Sequence, residues 1–136
     1  MRASSSSMYA QGVLQSHGLC PPSLHVVAKM TTIAQLMYAS PAWWGYATAE
    51  DRGRIEQQIA RMKRRGLIGP DAPTAAELAD SADGRLFAAI NANESHVLRG
   101  LFPPSRYELR PRPHGFLLPT KDDRNFISRV LFKNIY

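Results

Sequence analysis

Two clusters of cations, a pair of adjacent tryptophans, a scatter of metal-type ligands and two acidic pairs are the residues whose types could do chemistry. Arg61, Lys63, Arg64 and Arg65 put four bases in five positions, more than helix capping needs and suited to phosphate oxygens. Arg110, Arg112 and His114 alternate with other residues over Tyr107–His114 and offer a second phosphate contact. Trp43 and Trp44 present either a hydrophobic plug at a helix corner or a platform on which bases stack. His17, Cys20 and His25 supply metal-type ligands, but their spacing fits no zinc pattern and a fourth ligand is missing. Asp122-Asp123 lies in a polar stretch between Lys121 and Arg124, without the flanking strands of a two-metal site, and reads as a solvated loop. There is no phosphate-cradling glycine loop and no nucleophile motif. The expectation is a chain that binds without catalysis, with no metal and no cofactor of its own.

The charge distribution supports an anionic partner. Over 136 residues the formal net charge is +6, unevenly spread. Residues 50–69 hold six bases and three acids, residues 70–98 one base and five acids, and residues 99–136 eight bases and three acids. Two basic zones thus flank an acidic one, which favours RNA or DNA. The competing reading is internal: acids of the middle meet bases of the end. A single cysteine excludes a disulfide framework. No apolar run approaches the roughly 18 residues of a membrane span, so no membrane partner is expected, and the first 20 residues lack the apolar core of a secretory signal.

The elements that must position these residues are mainly helical. Residues 1–20 read as an unstructured lead-in. Ser23 is an N-cap for a helix over Leu24–Ala39, whose apolar stripe Val26, Met30, Ile33 and Met37 is widened by Val27, Ala28, Ala34 and Leu36 and stays largely exposed if only two other helices cover it. That helix is apolar enough to want burial on more than one side. Ser40-Pro41 ends it. Thr48 caps a helix over Ala49–Arg65 with Ile55, Ile59 and Met62 inward, closed by Gly66. Residues 69–73 are a linker, and Thr74 with Glu77 forms a capping box for a third helix ending near Asn91–Asn93. Five prolines then make residues 103–136 an extended, Pro/Arg-rich basic tail, with one short helix or strand near Phe126–Phe132. The expected fold is mainly α: a small bundle of about three helices over 21–102 with that tail, not an autonomous compact domain.

One string has a specific resemblance. Tyr38-Ala39-Ser40-Pro41-Ala42-Trp43-Trp44-Gly45 resembles the region just after the polymerase core in reverse transcriptases of non-LTR (LINE-type) retrotransposons. His17-Gly18-Leu19, Asp51-Arg52, Asp80, Asp83, Leu86-Phe87, Ile90, His96-Val97-Leu98 and Pro103-Pro104 are similar to its flanks. Tyr107, Leu109, Arg110, Arg112, His114 and Asn125-Phe126-Ile127-x-Arg129 are similar to the extreme C-terminus of such reading frames, giving coverage of about residues 14–136. The resemblance implies a thumb and tail, which help hold the primer–template duplex against the palm. The parent family is an RNA-directed DNA polymerase. Its catalytic aspartates and their Mg²⁺ belong to a palm that these residues do not include, which makes that palm the natural packing partner and the nucleus or cytoplasm the expected compartment. Charge, not the resemblance, assigns the contact role to Arg61, Lys63, Arg64, Arg65, Arg110, Arg112 and His114. Two alternatives stand beside this reading. One is a small α-helical interaction module docking through its apolar helix and its tryptophans; the other is a genomic relic without selected function.

Overall fold

The sequence's capping signals dictate where its helices begin and end. In the computed structural model, which describes residues 2–104 and 114–135, the order is α1 (Arg2–Ser16), α2 (Pro21–Ala28), a π turn (Lys29–Ile33), α3 (Ala34–Leu36), α4 (Ser40–Trp43), α5 (Ala49–Arg64), α6 (Ala75–Ala92), a 3₁₀ turn (Arg99–Leu101) and α7 (Phe126–Lys133). The fold is mainly helical, with no strand among the described residues. It divides into two units that interleave along the chain: Met1–Tyr38 with Thr48–Leu78, and Ala39–Ala47 with Ala79–Tyr136. Unit 2 therefore takes in residues on both sides of the boundary expected at 102.

In unit 1 the lead-in expected to be unstructured is instead α1. Its serines are weak helix formers, so packing must supply the stability. Met8 and Gln11, one turn apart, are buried. The Gln11 amide donates to Thr31 Oγ1 at 2.8 Å and to Thr32 Oγ1 at 2.9 Å. At the end of α1, Gly18 (φ 86°) lets Leu19 N–H reach the Leu14 carbonyl while its own N–H bonds Gln15, which satisfies carbonyls that the helix leaves open.

The second helix starts earlier than expected. Pro21 and Pro22 occupy its first turn, where a missing N–H costs nothing, so Cys20 rather than Ser23 is the N-cap residue. Only part of the wide apolar face turns inward. Leu24, Ala28 and Thr32 are buried, whereas Val26 is 59% and Met30 71% exposed. The buried set recurs every fourth residue and continues to half-buried Leu36. A regular α-helix, at 3.6 residues per turn, drifts by about 40° at each such step. One π turn at Lys29–Ile33 absorbs the drift and keeps Thr32 and Leu36 inward in place of Thr31 and Gln35. The helix then stops at Leu36 rather than Ala39, and Ala39 takes a left-handed φ of 51°.

Helices α5 and α6 follow expectation. Thr48 Oγ1 accepts the Asp51 N–H at 3.1 Å, and Ile55, Ile59 and Met62 are buried. Thr74 N–H donates to Glu77 Oε2 at 2.8 Å while Glu77 N–H donates to Thr74 Oγ1 at 3.3 Å, a reciprocal capping box. The Thr74 N–H and hydroxyl hold the Glu77 carboxyl below its ordinary range. Glu56 of α5 accepts the next N–H, that of Ala75, at 2.8 Å.

Unit 2 is built on Phe87, Ile90, Phe102, Phe116, Val130 and Leu131. Phe87 and Phe102 stack with centroids 5.9 Å apart, and Phe116 lies 5.1 Å from Phe102. Arg99 sits 5.2 Å over the Phe116 ring and donates to the carbonyls of Ile90 at 3.1 Å and Asn91 at 3.3 Å. A cation therefore closes the C-terminal end of α6. Of the short helix or strand expected near Phe126–Phe132, the helix forms: α7, capped by Asn125 Oδ1 accepting the Ile127 N–H at 2.9 Å.

Candidate nucleic-acid interface

The basic cluster of unit 1 occupies the last turn of α5 and its C-cap. Gly66 (φ 66°) and Leu67 donate to the carbonyls of Lys63 and Met62, both at 3.0 Å. That backbone motif already satisfies the helix end, so the side chains are not engaged in capping. Arg61, Arg64 and Arg65 are exposed and Lys63 half-buried. Arg61, Arg64 and Arg65 make no ion pair among the described residues, whereas Arg54 is tied to Glu50 and Asp51. Gln57, Ala60, Arg61, Lys63 and Arg64 line a shallow open depression of about 510 Å³. Glu56 and Glu77 are spent on the N-terminus of α6.

Unit 2 carries a different arrangement, centred on Arg129. Its guanidinium donates twice to Asp83 Oδ2, from Nε at 3.1 Å and from Nη2 at 2.8 Å. Nη2 also donates to the Pro41 carbonyl at 3.1 Å, and Nη1 to the Arg124 carbonyl at 2.9 Å. Gly45 lies against the same group: a β-carbon there would stand 2.1 Å from the Arg124 carbonyl oxygen and 2.3 Å from Arg129 Nη1. Thus α4, α6, the Arg124 turn and α7 are joined at one side chain. Lys133 pairs with Asp80 one turn away on each helix. Arg129 and Lys133 are thereby neutralised by α6, so within unit 2 the acids of the middle do meet bases of the end.

Burial holds the Asp83 carboxyl above its ordinary range, with Asp80 adding to the effect. Arg129 and, more weakly, Lys133 oppose it without prevailing. The folded state therefore favours protonated Asp83 more than the unfolded chain does. The contribution of this group to stability is full below its unfolded pKa, about 3.9, and is lost as pH rises through the folded value. Urea midpoints should show the gap between wild type and Asp83→Asn narrowing as pH rises from about 3; a gap that widens would contradict the assignment.

No family model, curated protein or solved structure matches the chain.

The remaining expected residues divide as follows. Arg110 and Arg112 lie outside the described residues. His114, expected as a phosphate contact, packs within unit 2. Its Nδ1 accepts the Phe116 N–H at 3.1 Å, Nε2 lies 3.2 Å from the Leu131 carbonyl, and its ring stacks on Phe116. Both nitrogens thus face backbone groups of the protein. Trp43 and Trp44 are half-buried and meet edge to face at 5.7 Å and 63°, the geometry of packing rings rather than of one flat stacking platform. The Arg61–Arg65 cluster belongs to unit 1, and the tryptophans and His114 to unit 2. Asp83, Gly45 and Arg129 had a sequence signal only as members of the resemblance; spacing alone does not bring together residues so far apart in the chain.

Proposed function

We propose that this chain is a non-catalytic thumb-and-tail segment of the non-LTR reverse-transcriptase type, holding RNA or DNA by its backbone through the basic end of α5. The observation that carries the reading is the availability of Arg61, Arg64 and Arg65: exposed, free of ion pairs among the described residues, and not needed to close their helix. The resemblance gains support from unit 2. Residues that carry it in three separate stretches (Ser40–Gly45, Asp83 and Asn125–Arg129) meet around one guanidinium. A missing polymerase palm would supply the chemistry and the natural packing partner.

Binding of labelled RNA and DNA against salt tests this. Neutralising about four phosphates gives a log–log slope of about −3 to −4. Reversing Arg61, Lys63, Arg64 and Arg65 to glutamate should abolish most of the affinity without regard to base sequence. A flat salt response, or unchanged affinity in the reversed variant, rejects the reading.

Exposed Val26 on α2 and Met30 in the π turn favour the second reading, a module that docks on a protein. It predicts concentration-dependent association with little salt dependence, and a monomer at all concentrations by light scattering would count against it.

A further inference from the structure

The lining of the α5 depression is chemically lopsided. Arg61, Lys63 and Arg64 can only donate hydrogen bonds, and Ala60 contributes a methyl group. Gln57 alone carries a side-chain acceptor, and its carboxamide donates as well. Gln57 is exposed and makes no side-chain hydrogen bond among the described residues. It stands one turn before Arg61 and two turns before Arg64, on the same face. One turn is about 5.4 Å, close enough for the sugar and the phosphate of a single nucleotide to be contacted together. The ribose 2′-hydroxyl is both donor and acceptor, and it is the group by which a protein tells RNA from DNA.

Resting on the reading of α5 as a backbone-binding helix, we propose that Gln57 is a specificity-determining residue, its carboxamide bonding a ribose 2′-hydroxyl while Arg61 and Arg64 hold the adjoining phosphate. The ligand class is then an RNA strand in preference to a DNA strand of the same sequence. The cationic side chains supply affinity for either, and the neutral amide supplies the difference. The preference is modest, since one exposed hydrogen bond is worth only about a three- to tenfold ratio.

The experiment is fluorescence anisotropy with 5′-labelled twelve-residue oligouridine and oligodeoxyuridine, on the full chain and on Gln57→Ala. Wild type should bind the RNA three- to tenfold more tightly. In Gln57→Ala the ratio should fall to about one through loss of RNA affinity, with DNA affinity and salt slope unchanged and the far-UV circular dichroism of the wild type retained. Equal affinity for the two strands in wild type, or a ratio that survives in Gln57→Ala, overturns the role of Gln57 while leaving the α5 reading intact. Absence of binding to either strand at low salt overturns both.

Discussion

Arg129→Ala should destabilise the unit built from Ala39–Ala47 and Ala79–Tyr136 by about 3–5 kcal/mol. The side chain is 16% exposed and its Asp83 partner 9%, so the variant leaves a carboxylate with little access to water and no counter-charge. The carbonyls of Pro41 and Arg124 lose a donor at the same time. Asp83 Oδ1 has no hydrogen-bond partner among the described residues even in the intact unit, which leaves little reserve for compensation. Both tryptophans of the chain lie in this unit, so tryptophan fluorescence in a urea titration reads its unfolding directly. Asp83→Leu combined with Arg129→Leu should recover part of the loss, because removing both charges avoids the orphaned one. An Arg129→Ala midpoint within error of wild type would dismiss the keystone role, and a double variant worse than the single would show that the hydrogen bonds to Pro41 and Arg124 outweigh the ion pair.

Gly45→Ala is the second substitution expected to be severe, at about 3 kcal/mol. The added methyl would enter the space of the Arg124 carbonyl and Arg129 Nη1. The first of these is backbone, and no rotamer change can move it away. Relief requires α4 or the Arg124 turn to shift, and either shift loosens the Arg129 hydrogen bonds. Gly53→Ala is the control: inside α5 its β-carbon meets nothing within 4 Å among the described residues, and replacing a mid-helix glycine should raise stability by about 0.5–1 kcal/mol. Thermal unfolding followed by far-UV circular dichroism, which sees the helices of both units, separates the two cases. A Gly45→Ala midpoint equal to wild type would refute the close approach.

The helices were legible where a local rule fixes them. Thr48 and Thr74 announce their helices because an N-cap needs only the next three residues, and Gly66 announces an end because left-handed φ favours glycine. The inward stripe of the second helix was not legible, because Val26, Met30, Ile33 and Met37 form the better 3.6-residue pattern on paper. What decides the face is tertiary: Gln11 reaches across from α1 to Thr31 and Thr32. The lead-in failed for the same reason, since its serines say little until Met8 and Gln11 find a surface to bury against. For the candidate site, exposure of the α5 cations followed from the face opposite Ile55, Ile59 and Met62. The packing of His114 was not legible, because nothing in Tyr107–His114 shows that the ring is held between Phe116 and Leu131.

The interleaving of the two units has a consequence for synthesis on the ribosome. Every residue of unit 1 has been made once Leu78 is added, yet the Ala39–Ala47 stretch within it belongs to the other unit and must wait for Arg129. At the usual 5–20 residues per second the interval is roughly 3–10 s. During it the nascent chain presents Trp43 and Trp44 without their later partners, in a loop whose two ends are already anchored. That is a window in which chaperones, rather than the native contacts, guard the most aromatic part of the molecule.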